Sequence, residues 1–245
     1  MFYDRKFDCE PEGASAYLPK ESFASTHSEI INLVKNNSRI LDLGCNDGGV
    51  GFLLKEKKNC SVVGVDKKKK SNSFKLDNFI LHDLNLGPPN LDYNNFDYII
   101  MLDVIEHLID PEMFVDRLKG CLIRNEKVKI IVSTPNISFI IMRIMLLFGT
   151  FNYGKRGILD RTHTRLFTFT TLSYLFEQCQ YSVELKKGIP APFPLAISNK
   201  LISGFLIKLN ILLIKIYKSL FSYQIIFKVK PKISLELLLE KATVE

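Results

Sequence analysis

A glycine-rich stretch near residue 45 contains the residue types that could hold a nucleotide. It begins at Arg39 and reads RILDLGCNDGGVG, so an apolar run is followed by four glycines within eight positions. Glycine at this density lets backbone N–H groups approach a ligand closely, and a helix that begins there adds the positive end of its dipole. The stretch predicts a buried strand, a tight turn and a helix start that bind a nucleotide-like ligand.

Acidic residues end the next three predicted strands. A second strand over 61–66 ends at Asp66, a third within 78–85 ends at Asp83, and a fourth over 96–103 ends at Asp103. Because the carboxyl ends of parallel strands meet at one edge of a sheet, these carboxylates should face the same crevice as the glycine turn. We expect Asp66 to accept hydrogen bonds from ribose hydroxyls.

Two of these stretches resemble motifs of a known family. Residues 42–48 match the acid-Gly-x-Gly-x-Gly pattern of motif I in class I S-adenosylmethionine-dependent methyltransferases, with Asn46 in place of the middle glycine. Asparagine tolerates left-handed backbone better than most residues. Residues 96–108, FDYIIMLDVIEHL, resemble the family's segment with an FD pair followed by (D/E)V(I/L)EH.

The resemblance implies that S-adenosylmethionine is the cofactor. It places Asp83 and the backbone of Leu84 at the adenine, Asp103 near the methionine portion, and Glu106 with His107 in a loop at the mouth of the crevice. The full set of expected cofactor residues is Asp42, Gly44, Cys45, Asn46, Gly48, Asp66, Asp83, Leu84 and Asp103.

A second polar stretch lies at 157–168, between two apolar segments, and reads GILDRTHTRLFT. It resembles the ILDRTHxRFFT element of methyltransferases from surface-polysaccharide and sugar-modification pathways. In that light Asp160, Arg161 and Arg165 are candidates for substrate binding, and a helix-capping salt-bridge cluster is the alternative. His163 is the preferred general base for a hydroxyl acceptor and His107 the second candidate, because imidazole titrates near neutral pH.

The elements that must position these residues alternate between strand and helix, which predicts a doubly wound α/β fold. A capping box at Thr26–Glu29 should begin the first helix, and Asp110 with Pro111 should begin a later one. The resemblance implies a Rossmann-like sheet of seven strands, six parallel and one antiparallel, with a helical insertion before the last strand. The expected divisions are a lid or extension at 1–24, a methyltransferase domain at 25–232, an insertion at 189–222 and a tail at 233–245.

Composition fits one globular domain. The chain has 245 residues, of which 47% are hydrophobic and 24% charged, enough for a single α/β domain with a full core. Its five cysteines show no C-x-x-C pair and no metal-ligand spacing with the four histidines, so no metal site is predicted. The first residues lack an apolar signal core, which favours a cytoplasmic location.

The predicted insertion is apolar and basic. Within 199–221, Lys200, Lys208, Lys215 and Lys218 fall in one quarter of a helical wheel, and most of the remainder is Leu, Ile, Phe and Tyr. This pattern is typical of an interfacial membrane helix, and a helix packed on its own domain with its lysines in water would also show it. Peripheral contact with the inner face of the cell membrane is therefore expected as one alternative. Nucleic acid is disfavoured, because these lysines lie beside Leu and Ile rather than aromatic platforms.

The resemblance implies methyl transfer, with a hydroxyl of a small molecule or of a glycan or lipid-linked intermediate as the expected acceptor. Three rivals stay open, and a nucleic-acid methyltransferase, which the setting of the lysines disfavours, is one of them. An NADP-dependent oxidoreductase would explain the lysines at 67–70, which could meet a 2′-phosphate, although its G-x-G-x-x-G fingerprint needs glycine where Asn46 stands. A non-catalytic nucleotide-binding protein at a membrane is the third.

Overall fold

The computed structural model describes residues 23–68, 74–125 and 127–233. The predicted N-terminal lid lies outside these residues except for Phe23 and Ala24, and the predicted C-terminal tail lies outside them except for Ile233. Lys69 and Lys70 of the lysine run also lie outside them.

Seven strands form one sheet in the order β3-β2-β1-β4-β5-β7-β6. Neighbours among β1 to β5 are parallel, and β7 runs antiparallel to both β5 and β6. The prediction of six parallel strands and one antiparallel strand is therefore confirmed. The strands are β1 (Arg39–Leu43), β2 (Ser61–Asp66), β3 (Asn78–Leu81), β4 (Tyr98–Leu102), β5 (Lys129–Pro135), β6 (Tyr181–Ile189) and β7 (Gln224–Pro231).

Helices connect most of these strands, but the predicted strict alternation is not complete: the described residues hold no α-helix between β2 and β3, and only two short 3-10 turns between β3 and β4. The α-helices of the described residues are α1 (Thr26–Leu33), α2 (Gly49–Lys58), α3 (Pro111–Cys121), α4 (Ile140–Leu147), α5 (Phe169–Gln178), α6 (Phe193–Ala196), α7 (Lys200–Ile216) and α8 (Lys218–Phe221). The last three lie between β6 and β7, which is where the helical insertion was predicted. None of the described helices combines the length and the apolar character that crossing a bilayer requires.

The sheet has an apolar cluster on each face. In β1, Ile40 belongs to one cluster and Leu41 and Leu43 belong to the other, because successive strand residues point to opposite faces. All three side chains are fully buried. Both faces of the central strands are therefore covered by apolar side chains. Only the carboxyl ends of these strands can line a cleft.

Three local predictions differ from the structure. The capping box of α1 joins Ser25 and Ser28, whose side chains exchange hydrogen bonds with each other's backbone N–H, because Thr26 is already the first helical residue. Strand β3 is shorter than predicted, and Asp83 instead caps a short 3-10 turn. The predicted helix at 199–221 is broken where Tyr217 adopts φ −143° and ψ 86° between α7 and α8.

Candidate functional site

The turn after β1 has the backbone that the glycine pattern predicted. Gly44, Asn46 and Gly48 have φ angles of +77°, +48° and +83°, and Gly48 is the N-cap of α2. Gly44 N–H and Cys45 N–H both donate to Val65 O at the end of β2. Alternate left-handed residues thus fold the chain tightly over the strand tips, and the asparagine takes the conformation for which the motif uses glycine.

A cleft at the carboxyl ends of the parallel strands collects almost all of the predicted cofactor residues. It consists of two adjoining cavities of 190 and 400 Å³ that share Gly44, Asn46 and Asp103. The smaller cavity adds Asp42 and Cys45. The larger cavity adds Asp66, Asp83 and Leu84. Gly48 lines neither cavity, because it packs against Leu76 on the other side of the turn.

Asp66 joins the tip of β2 to the glycine turn. Its Oδ2 accepts a hydrogen bond from Asn46 N–H at 2.8 Å, and its Oδ1 accepts one from Lys68 N–H at 3.0 Å. A carboxylate has about four acceptor positions, and the described residues occupy two of those of Asp66. Asp83 is held in a similar way, since its Oδ1 accepts from Asn85 N–H at 3.0 Å.

Asp103 follows β4 in a left-handed conformation, with φ +55°, which is uncommon for a residue other than glycine. Its carboxylate is held by two side chains from neighbouring strands. Ser133 Oγ donates to Oδ1 and Gln224 Nε2 donates to Oδ2, each at 2.8 Å. Such backbone strain persists where surrounding contacts fix it, and it is frequent at functional sites.

Asp42 is the most deeply buried acid lining the cleft, with 3% of its surface exposed. Burial, with a smaller contribution from the negative charge of Asp66, raises its pKa to about 7. The ionised form of Asp42 is therefore costly, and a cationic ligand would relieve that cost.

The pH dependence of stability tests this arrangement. Because the folded-state pKa of Asp42 lies above its unfolded value of 3.8, folding takes up a proton between these values and the associated stability is lost as pH rises through about 7. We expect Asp42→Asn to gain up to about 4 kcal/mol in unfolding free energy relative to wild type between about pH 4 and pH 8. Urea unfolding of both proteins across this range measures the difference, and an asparagine variant that loses stability relative to wild type as pH rises would contradict the expectation.

Glu106 and His107 lie in the 3-10 turn Ile105–His107 after β4, but only His107 reaches the mouth of the cleft. The side chain of Glu106 is 1% exposed, so its predicted place at the crevice mouth is wrong. The loop at 164–165 covers it, since Thr164 N–H and Arg165 N–H donate to Glu106 O at 2.8 and 3.1 Å. Burial, and then the charge of Asp103, raises the pKa of Glu106 well above its usual range.

The two candidate bases are neighbours. The rings of His107 and His163 lie 4.8 Å apart, centre to centre, in an edge-to-face arrangement. Burial, and to a lesser degree the neighbouring His163, lowers the pKa of His107 below its ordinary value. Only His107 lines the cleft, whereas the sequence favoured His163 as the base.

The three predicted substrate residues have separate surroundings. Asp160 Oδ1 accepts hydrogen bonds from Thr162 N–H at 2.9 Å and from Thr162 Oγ1 at 2.7 Å. Arg165 lies 3.4 Å from Glu112 of α3 in an exposed ion pair, and Arg161 is exposed. None of the three lines either cavity, so their substrate role remains a prediction.

Other residues line the cleft that the sequence did not indicate. His27 of α1 and Val50 of α2 line the smaller cavity, and His82 and Thr162 line the larger one. His27 carries no local signal because α1 precedes the first strand, and its position over the turn depends on how α1 packs. Thr162 lies within the polar stretch at 157–168, but charged residues next to it were predicted to bind the substrate instead.

Solved methyltransferase structures share this fold. An S-adenosylmethionine-dependent methyltransferase from Archaeoglobus fulgidus superimposes with a TM-score of 0.50 at 19% identity, over 86% of this chain and 96% of its own. The 1,6-didemethyltoxoflavin-N1-methyltransferase of Burkholderia thailandensis, solved with S-adenosylhomocysteine, gives 0.53 at 13% identity, over 84% and 76%. The fold and the cleft are those of the class I S-adenosylmethionine-dependent methyltransferases, and the predicted class is confirmed.

The family follows from the sequence. The model of the family described as methionine biosynthesis protein MetW matches residues 24–183, and the chain belongs to this family. A Papaver bracteatum protein named "Probable (S)-tetrahydroprotoberberine N-methyltransferase 2" is 30% identical over 98 residues, which are 35% of this chain and 26% of that protein. The chain thus matches about a quarter of the length of that relative.

Proposed function

We propose that this protein transfers the methyl group of S-adenosylmethionine to a hydroxyl of a lipid-linked or otherwise amphiphilic acceptor. The observation that carries the proposal is the cleft in which Asp42, Asp66 and Asp103, from the tips of three adjacent strands, surround a left-handed glycine turn. When bound, the cofactor supplies an electrophilic methyl group on a sulfonium centre.

The residues present fit this cofactor. Gly44 leaves no room for a side chain, because an added Cβ would lie 2.4 Å from Val104 Cγ2, and its backbone lines both cavities of the cleft. Asp66 offers acceptor positions for ribose hydroxyls, and Asp83 with Leu84 would border the adenine. Asp42 and Asp103 would bring negative charge toward the cationic parts of the ligand.

The chain contributes positioning above all. A methyl group on a charged sulfur needs a nucleophile that is held close and in line. Strand tips and hydrogen-bonded turns hold the cofactor residues rigidly, as the Ser133 and Gln224 bonds to Asp103 illustrate. His107 lines the same cleft and would face the acceptor side.

Calorimetric titration tests the cofactor. We expect uptake of S-adenosylmethionine and of S-adenosylhomocysteine, with one molecule per chain, and no uptake of NADPH. Uptake of NADPH without either sulfur compound would favour the oxidoreductase instead. Binding of S-adenosylhomocysteine without turnover on any acceptor would favour the non-catalytic alternative.

An amphiphilic acceptor is supported by an apolar surface on α4 and on the helices between β6 and β7. Helices α4, α6 and α7 border an apolar groove of 420 Å³, and α4 has no buried residue. Leu201, Phe205 and Ile216 of α7 are 85%, 64% and 73% exposed, while Lys200, Lys208 and Lys215 of the same helix are also exposed. Exposed apolar side chains beside exposed lysines match an anionic lipid surface.

Vesicle co-sedimentation tests this surface. We expect wild type to sediment with vesicles that contain phosphatidylglycerol, and less so with purely zwitterionic vesicles or at high salt, because the lysines contribute by charge attraction. Serine at Leu201, Phe205 and Ile216 together should reduce the bound fraction about tenfold or more. The matched control carries serine at Leu86 and Ile109, each 72% exposed outside these helices, and should bind as wild type does. Equal loss in both variants would contradict the assignment.

The acceptor can be found by mass. Lipid-linked and free glycans from cells with and without the protein should differ by one CH2 unit in at least one species. Assignment of that methyl to oxygen by NMR supports the proposal, and assignment to nitrogen would replace the hydroxyl with an amine.

A further inference from the structure

We propose that Glu106, His107 and His163 form a binding site for one divalent metal ion, of the kind that takes nitrogen and oxygen ligands. Each residue offers one ligand atom, and these atoms all lie within 4.8 Å of one another. In tetrahedral geometry at ordinary Zn–N and Zn–O distances two ligands are separated by about 3.4 Å, so the most distant pair of ligand atoms would have to approach by up to about 1.4 Å to close the site around an ion.

Both imidazoles are already held as metal-ligating histidines are. His107 Nδ1 lies 3.1 Å from Thr162 O, and His163 Nδ1 lies 2.9 Å from Ile158 O. A carbonyl oxygen can only accept, so each Nδ1 must carry the proton and donate. In the neutral ring this leaves the Nε2 lone pair available, and a backbone carbonyl on the other nitrogen is the usual support for a ligating histidine.

The third ligand is a buried carboxylate without a partner. Neither Oε1 nor Oε2 of Glu106 makes a hydrogen bond within the described part of the chain, and the nearby Thr134 hydroxyl forms no bond of ordinary geometry with it. Buried polar groups in proteins are normally satisfied, and each exception calls for an explanation. A cation held jointly with two imidazoles would satisfy this carboxylate.

The loop at 158–165 builds the site from residues that are distant in sequence. Thr164 N–H and Arg165 N–H hold this loop to Glu106 O. Asp160 accepts two hydrogen bonds from Thr162, and Thr162 in turn orients His107. The polar stretch at 157–168 therefore holds the proposed metal ligands in place. Its contacts with Glu106 and His107 could not be predicted from the sequence.

The location suggests a use, and this step rests on the proposed function. His107 and Thr162 line the cleft next to Asp103, so an ion here would lie beside the acceptor. A divalent ion lowers the pKa of a bound hydroxyl, so the hydroxyl proton would pass to solvent water while the oxygen takes the methyl group and the S–CH3 bond of the cofactor breaks to give S-adenosylhomocysteine. Two histidines and one carboxylate are a ligand set that Zn²⁺ and Fe²⁺ accept.

Metal binding is measured directly, on tag-free full-length protein stripped with a chelator. Calorimetry with Zn²⁺, Mn²⁺ and Mg²⁺ in turn should give one site for at least one of them. Glu106→Gln and His163→Ala should each weaken binding about 100-fold or more. His82→Ala is the matched control, because this histidine also lines the cleft but is outside the cluster, and it should bind the ion as wild type does.

S-adenosylhomocysteine binding is measured in parallel, and it separates the two proposals. His163 lines neither cavity, so His163→Ala should keep wild-type affinity for this compound, which also shows that it is folded. If His163→Ala does not fold, Glu106→Gln, which keeps the size of the side chain, decides. Wild type that binds S-adenosylhomocysteine but none of the three ions overturns the metal site alone. Ion binding that is equal in wild type and both cluster variants also overturns it.

Discussion

Gly44→Ala should abolish detectable binding of S-adenosylhomocysteine and lower the free energy of unfolding by about 2–4 kcal/mol. The backbone there has φ +77°, and an added Cβ would lie 2.4 Å from Val104 Cγ2. The methyl group must therefore displace the turn, Val104 or both. Because Gly44 lines both cavities of the cleft, any displacement reshapes the cofactor site. Calorimetric titration and urea unfolding measure the two effects.

Gly149→Ala is the matched control for Gly44→Ala. It measures the cost of placing alanine at a positive φ without a steric clash like that between an added Cβ at Gly44 and Val104. Gly149 has φ +68°, but an added Cβ meets nothing within 4 Å, and Gly149 does not line the cleft. We expect a loss of about 1–2 kcal/mol in stability and unchanged cofactor affinity. Adding Val104→Ala to Gly44→Ala should recover part of the lost affinity. Equal effects of Gly44→Ala and Gly149→Ala on binding would contradict the close packing over the turn.

Asp66→Asn should weaken binding of S-adenosylhomocysteine by about 100-fold or more. A hydrogen bond to a charged group is worth about 1.5–3 kcal/mol, and the proposed site has this carboxylate accepting from two ribose hydroxyls. The change also weakens the bond from Asn46 N–H that joins β2 to the turn. Calorimetric titration of the variant measures the loss.

Asp92→Asn is the matched control for Asp66→Asn. Asp92 Oδ1 accepts a hydrogen bond from Asn94 N–H at 3.0 Å, much as Asp66 Oδ1 accepts from Lys68 N–H, but Asp92 does not line the cleft. It should bind the cofactor as wild type does. Retained affinity in Asp66→Asn would remove Asp66 from the site and weaken the methyltransferase proposal.

Local sequence signals predicted several turns, strand ends and helix caps well. The left-handed turn, the strand ending at Asp66 and the cap at Asp110 before Pro111 are all present. Each of these features depends on residues that are close together in the chain. The backbone preferences of such residues and the spacing of the apolar ones can be derived directly from the sequence. The capping box of α1 was predicted one residue too late because Ser25–Ser28 and Thr26–Glu29 have the same spacing.

The surroundings of Glu106 and Arg165 were predicted less well, because they depend on contacts between distant segments. The sequence could not show that Arg165 pairs with Glu112 of α3, since that ion pair joins two surface elements. It also placed Glu106 at the crevice mouth, whereas hydrogen bonds from Thr164 and Arg165 to its carbonyl cover it with a loop. The pattern of apolar and polar residues within a segment does not predict its contacts with a distant segment.

The sequence by itself determined the class of this protein. Strand and helix alternate in it, and acids end the strands that follow a glycine turn, so the parallel arrangement of the sheet had to bring those acids to one edge. Only the tertiary structure decided which other side chains lie close to those acids. Glu106, His107 and His163 meet because backbone hydrogen bonds join two loops far apart in the chain, and spacing along a sequence carries no information about that distance in space.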